Sequence, residues 1–266
     1  MHRIRHLPPP GHVNRQAPAA PALVAVAHGS RDPRAPHAVA ALLDLVRELR
    51  PGLDVRLGHI ELNAPLLPDA LHALGAGDAV LVPLLLGRGH HVKHDIPASV
   101  ADAPALRARV AGPLGPHPLV VEALHDRLTE AGWRASDRDG AVVLAAAGSR
   151  DPESAADTRR TARMLGERLG GVPVVPAYAS AAAPTVPAAV RALAARGHHR
   201  IAVASYFTAP GRFASAAAAH APWIAAAPLG AHPAMARLIL HRYDRARAAG
   251  AGAYDIPMNT RFPASA

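Results

Sequence analysis

A repeat governs what this chain can become. His28-Gly-Ser-Arg-Asp-Pro33 returns 119 residues later as Ala147-Gly-Ser-Arg-Asp-Pro152, and Pro65 and Pro68 return at the same spacing as Pro184 and Pro187. Gly-Pro-Leu-Gly-Pro-His-Pro, ending at Pro118, comes back as Ala-Pro-Leu-Gly-Ala-His-Pro, ending at Pro233. Several anchors in one order over this distance mark two homologous halves that duplicated and diverged. The polar stretch Arg134 to Gly140 is the boundary, which gives an N-terminal half at 22–133 and a degenerate second half at 141–249. Either length is enough to build a hydrophobic core.

Within each half, short apolar runs alternate with longer segments of helical spacing. In the first, strands are expected at Leu23–Ala27, Val55–Ile60 and Ala79–Leu86, with another short one near Val110. Helices are expected at Pro36–Leu49, Leu66–Leu74, from Asp95 onward and at Leu119–Leu128. In the second, strands fall at Ala141–Ala146, Val172–Tyr178 and Ile201–Tyr206, and helices at Glu153–Leu169, Pro184–Ala195, Phe213–Ala221 and Pro233–Ala248. Strict alternation of strand and helix argues for parallel βαβ units. The expected fold is α/β: two homologous doubly wound domains, each a four-stranded, mostly parallel sheet flanked by helices. With aromatic residues at 3 %, the cores must be built from Ala, Val and Leu.

Composition removes several functions. There is no cysteine, so disulfides, thiolate metal sites and cysteine-held iron–sulfur clusters are excluded. No P-loop is found, and no apolar stretch approaches the roughly 20 residues of a membrane span. The net charge of +9, carried almost wholly by arginine since Lys93 is the sole lysine, suits a partner rich in carboxylates or phosphates. Residues 1–21 are basic, proline-rich and aperiodic and are read as a disordered leader; the tail 250–266 has no repeat counterpart and is read as disordered too.

The repeat serves as an internal control. Positions needed by the fold should persist in both halves, whereas chemistry can survive in one. The Gly-Ser-Arg-Asp-Pro turn persists, but His28 becomes Ala147, Glu61 becomes Ser180, and His91 falls opposite Phe213 when Gly89-His90-His91 is matched with Gly211-Arg212-Phe213. The first half is therefore the armed one. His28 follows an apolar strand directly, at the carboxyl end where open parallel sheets bind ligands, and can act as acid, base or metal ligand. Its neighbourhood superficially suggests an Arg-His-Gly phosphohistidine signature, but Ala27 stands where the arginine is required. Glu61 ends the second strand on the same edge and could orient a substrate or accept a proton. After the third strand, Gly87 and Gly89 free the backbone to approach a ligand, and His90, His91 and His94 offer imidazole nitrogens to a borderline metal such as Fe²⁺, Co²⁺ or Zn²⁺. Asp95 is placed to cap the following helix.

Taken together, His28-Gly-Ser-Arg-Asp-Pro, Glu61 and Gly-His-His-Val-Lys-His-Asp-Ile-Pro resemble the class II chelatases that metallate sirohydrochlorin, over about residues 22–245. The resemblance implies that the metal is held by His28 and by the histidine before Val-x-x-Asp-Ile-Pro, which is His91. It implies catalytic roles for His28 and Glu61, and tetrapyrrole contacts from Glu61, Leu85, Leu86, Gly87, Arg88, Gly89 and His90. Arg31 and Arg88 are expected to meet substrate carboxylates. The implied reaction is insertion of Fe²⁺ into sirohydrochlorin to give sirohaem, with cobalt insertion toward corrinoids, or a non-catalytic tetrapyrrole or metal carrier, as the alternatives. No cofactor beyond the substrate metal is expected, nor nucleic acid or membrane; the protein is expected to be cytoplasmic and monomeric, since a duplicated chain can contain the interface a shorter one makes by pairing.

Overall fold

The computed structural model describes residues 20–137 and 139–249. All of the expected tail, and the leader up to residue 19, lie outside the described residues. Strand β1 (Ala22–Ala27) is followed by α1 (Arg34–Leu49), β2 (Val55–His59), α2 (Leu67–Leu74) and β3 (Gly77–Pro83). A π-helical turn, His91–Asp95, runs into α3 (Ile96–Ala101), then come β4 (Leu106–Val110) and α4 (Pro118–Glu130). The second half repeats the order with β5 (Ala141–Ala146), α5 (Pro152–Arg168), β6 (Val174–Tyr178), α6 (Val186–Ala194), β7 (Ile201–Tyr206), α7 (Arg212–Ala218), β8 (Ile224–Ala225) and α8 (Pro233–Ala248). Two four-stranded sheets result, ordered β2-β1-β3-β4 and β6-β5-β7-β8, and every pairing in them is parallel.

Parallel strands covered on both faces read as unbroken apolar runs. In β1, Leu23, Ala25 and Ala27 pack toward Leu42, Leu43 and Val46 of α1, while Val24 and Val26 pack toward Leu67 and Leu71 of α2 and Ile96 of α3. In β5, Val142, Leu144 and Ala146 join the larger cluster, and Ala141, Val143 and Ala145 face Val186, Ala189 and Leu193 of α6. One continuous core thus runs between the inner faces of the two sheets, filled by α1, α4, α5 and α8.

The packing units do not coincide with the repeat boundary. Helix α4 closes the first half in sequence but packs on α5 and β7 of the second, and α8 crosses back to pack on α1, β3 and β4 of the first. Each half therefore covers the other's sheet with its last helix. Between the halves, the buried Asp137 carboxylate accepts from the Arg134 amide at 2.7 Å and the Arg200 guanidinium at 2.8 Å.

Two expectations need correction. Strand β3 ends at Pro83 rather than Leu86, because the backbone carbonyls of Leu85 and Leu86 turn away to accept from the Leu114 amide and the Tyr206 hydroxyl. Asp95 does not cap α3: it lies within continuous helical backbone at φ −69°, and its carboxylate turns to His91 instead. Strand β8 supplies the fourth strand expected of the second sheet, though two residues carry no periodicity by which the sequence could have placed it. Among the described residues, no helix is long and apolar enough to cross a membrane.

The repeated Leu-Gly-x-His-Pro anchor has a physical explanation. His117 and His232 are the N-caps of α4 and α8, and the Nδ1 of each accepts the backbone N–H two residues on, at 3.2 and 3.1 Å. An imidazolium has no lone pair for that bond. Burial, with Arg242 and His241 nearby, accordingly holds His117 down at about 4, against an ordinary value of 6.5. Burial and Arg127 lower His232 as well, against the opposing pull of Asp126. The unfolded chain binds these protons first as acid is added, so the stabilisation is complete above about pH 6.5 and is lost as pH falls toward about 4. The urea midpoint should drop across that window, and the doubly substituted His117→Asn, His232→Asn chain, which keeps a cap acceptor but cannot titrate, should show a shallower drop. Identical pH profiles would remove the caps as the cause.

Candidate metal and tetrapyrrole site

In a sheet ordered β2-β1-β3-β4, successive connections leave β1 in opposite directions, and a crevice opens at the carboxyl ends of β1 and β3. His28 follows β1, and the loop to the π-helical turn follows β3. The ladder continues past the strands: the Ile60 amide donates to Ala27 and the Glu61 amide to His28, at 2.9 and 3.0 Å. Gly29, at φ +101°, lies so close to Glu61 that a Cβ there would collide with the Glu61 carbonyl oxygen. The Asn63 side chain accepts from the Ser30 amide at 2.7 Å. In the second half Gly148, at φ +91°, meets the Ser180 carbonyl in the same way, so this glycine belongs to the turn and the lost histidine to the chemistry.

The structure brings His28, Glu61 and His91 together. The imidazoles of His28 and His91 meet edge to face with centroids 4.7 Å apart. Behind each stands a carboxylate. Glu61 Oε1 is 3.5 Å from His28 Nδ1, and Asp95 Oδ2 is 2.5 Å from His91 Nδ1. A carboxylate on Nδ1 favours the tautomer that carries its proton there and leaves the Nε2 lone pair free for a metal. His90 lies further out, 72 % exposed, with Nε2 3.7 Å from the other Asp95 oxygen, and its ring is 4.6 Å from that of His94. Sequence reasoning assigned Asp95 only to a cap. Its spacing four residues from His91, on one helical face, is the signal by which the pair could have been found.

The cleft encloses about 780 Å³ and both halves line it. From the first come His28, Arg31, Glu61, Leu85, Leu86, Gly87, Gly89, His90 and His91. Phe207, Arg212 and Phe213, which the sequence did not single out, form part of the opposite wall, with the Arg212 guanidinium 4.9 Å over the Phe213 ring. Arg31 is exposed on the rim. Arg88 is the one expected substrate contact that the structure places elsewhere. Its guanidinium turns out of the cleft into the second half, where it meets both oxygens of Asp157 at 3.0 and 2.7 Å and Glu153 at 3.0 Å. Buried carboxylate forks hold guanidinium groups tightly, so Arg88 is engaged before any substrate arrives.

Two cleft-facing imidazoles, each with a carboxylate behind it and solvent on the open side, can hold a divalent ion while leaving most of its coordination positions free. The CbiX family model matches residues 22–131 and 141–246. The chain is 30 % identical over 170 residues to a sirohydrochlorin ferrochelatase of Bacillus subtilis, covering 61 % of this chain and 64 % of that protein. It is 27 % identical over 191 residues to a sirohydrochlorin cobaltochelatase of Priestia megaterium, covering 68 % and 62 %. Among solved structures, SirB from Bacillus subtilis with Fe³⁺ superposes with a TM-score of 0.70 at 25 % identity, covering 88 % of this chain and 98 % of that one. With both halves matched, this chain is a member of the CbiX family.

Proposed function

We propose that the protein is a sirohydrochlorin chelatase and that its metal is Fe²⁺, giving sirohaem. The observation that carries this reading is the edge-to-face pair of His28 and His91, each backed by a carboxylate, at the floor of a cleft walled by both halves. The two Nε2 atoms would hold the incoming ion with open positions, so that pyrrole nitrogens replace water one at a time. Insertion of M²⁺ into the free macrocycle releases two protons. As the ion passes to the ring, the His28 lone pair is freed and can take one of them, with Glu61 at 3.5 Å stabilising the imidazolium. Arg31 and Arg212 on the rim suit the carboxylates of the substrate. Support for iron is a curated relative that is a ferrochelatase and a neighbouring structure that contains Fe³⁺; a relative that is a cobaltochelatase keeps Co²⁺ as the second reading.

The test is anaerobic absorption spectroscopy of sirohydrochlorin with the purified protein and either Fe²⁺ or Co²⁺, beside metal alone. Faster insertion of iron than cobalt is the expected result. A cobalt preference would move the protein to the corrinoid branch. Tight tetrapyrrole binding without acceleration by either metal would make it a carrier.

A further inference from the structure

His28 and His91 belong to one half in sequence, yet they are held by different bodies. His28 is fastened to the first sheet through the backbone of β1 and the Glu61 turn. The loop that delivers His91 is fastened to the second half at three successive points. The Tyr206 hydroxyl donates to the Leu86 carbonyl at 2.8 Å, Arg88 is gripped by Glu153 and Asp157, and the Lys93 ammonium sits 2.6 Å from Asp151 and 2.5 Å from Glu153. The Asp157 side chain is only 4 % exposed, and Lys93 and Asp151 are 24 and 19 % exposed, so water screens the Arg88–Asp157 and Lys93–Asp151 pairs less than ordinary surface pairs, whereas Glu153, at 45 %, adds a more exposed contact to each cation.

The duplication shows that this arrangement is not a requirement of the fold. Where α5 carries Glu153 and Asp157, the equivalent positions of α1 are Arg34 and Ala38; where the first loop carries Arg88 and Lys93, the second carries Pro210 and Ser215. Of the acids, Asp151 matches Asp32 of the repeated turn, but Glu153 and Asp157 have no acidic counterpart in the first half, and neither Arg88 nor Lys93 has a cationic counterpart at the matching position of the second loop.

We infer that Arg88 and Lys93 are positioning residues: clamped to Asp151, Glu153 and Asp157 of the degenerate half, they hold the His91 loop at the spacing from His28 that captures the metal. The inference rests on the reading of His28 and His91 as the metal-holding pair. It also gives the second half a task, as the frame against which the metal-binding loop is set.

The experiment compares the wild-type chain with Asp157→Asn, Arg88→Ala, the double variant and Lys93→Met. Hydrogen–deuterium exchange of peptides covering Leu86 to Asp95 is measured alongside steady-state metal insertion. Exchange of that segment should quicken in each variant while β1 stays protected. KM for the metal should rise by about tenfold, as for other groups that orient a metal ligand from behind, while KM for the tetrapyrrole changes by less than about twofold. The double variant should be no worse than the poorer single one, because both remove one tie. If Arg88→Ala instead raises the tetrapyrrole KM and Asp157→Asn does not, Arg88 is a substrate contact and the inference fails. It fails equally if loop exchange and metal KM stay at wild-type values. Should Asp157→Asn not fold, Lys93→Met carries the same two readouts. A wild-type chain that inserts no metal would overturn the chelatase reading, and loop exchange would still report whether the tie exists.

Discussion

Replacing His91 by alanine is expected to slow metal insertion by at least about a hundredfold, the range over which a positioned catalytic imidazole acts. Its side chain is 35 % exposed, so the fold should be undisturbed and thermal unfolding unchanged. His28→Ala should behave likewise, for its side chain is 46 % exposed. Asp95→Asn keeps the size of the group behind His91 but removes its charge, and with it the preference for the metal-ready tautomer; about a tenfold loss of metal affinity is expected. Initial rates under saturating tetrapyrrole, taken over a range of metal concentrations, separate these effects. Full activity in His91→Ala would mean that the metal is captured elsewhere, and the site described above would have to be abandoned.

The largest stability effect is expected from Tyr243. It lies on α8, is completely buried in the shared core, and its hydroxyl donates to the Pro21 carbonyl at 2.6 Å, pinning the chain just before β1. Tyr243→Ala should cost about 3–5 kcal/mol, the usual range for emptying a buried aromatic site. Tyr243→Phe keeps the packing and removes one hydrogen bond, which should cost about 1 kcal/mol. Urea unfolding of the three chains checks both values. Because α8 comes from the second half but covers the first sheet, the loss should appear as one cooperative transition at a lower midpoint. Separate transitions for the two halves would contradict the exchange of last helices.

Periodicity made most of the elements legible. Strands β5 and β7 and helix α8 have the bounds that their apolar patterns indicate, since a strand buried on both faces leaves an unbroken run and a packed helix leaves a stripe. The end of β3 was not legible, because it depends on groups far away in the chain: Tyr206 and Leu114 draw the Leu86 and Leu85 carbonyls out of the sheet. The role of Asp95 was missed although its partner His91 is only four residues away, because a cap was the competing local reading. The duplication similarly showed which half keeps His28, Glu61 and His91, but the contribution of Phe207, Arg212 and Phe213 to the cleft wall depends on how the halves face each other.

The sequence by itself determined the repeat, the parallel α/β class, the family resemblance and the placing of His28 and Glu61 after strands, because all of these are written as local pattern or as residue type at a strand end; the choice of His91 among three neighbouring histidines came only from the resemblance. Tertiary structure alone decided that α4 and α8 trade sheets and that the Arg88 guanidinium pairs with Asp157 instead of lining the cleft. The physical reason is the range of the interactions. Periodicity and turns act within a few residues, whereas the pairing of Arg88 with Asp157 joins groups 69 positions apart whose mutual approach is set only once both sheets have closed on their common core.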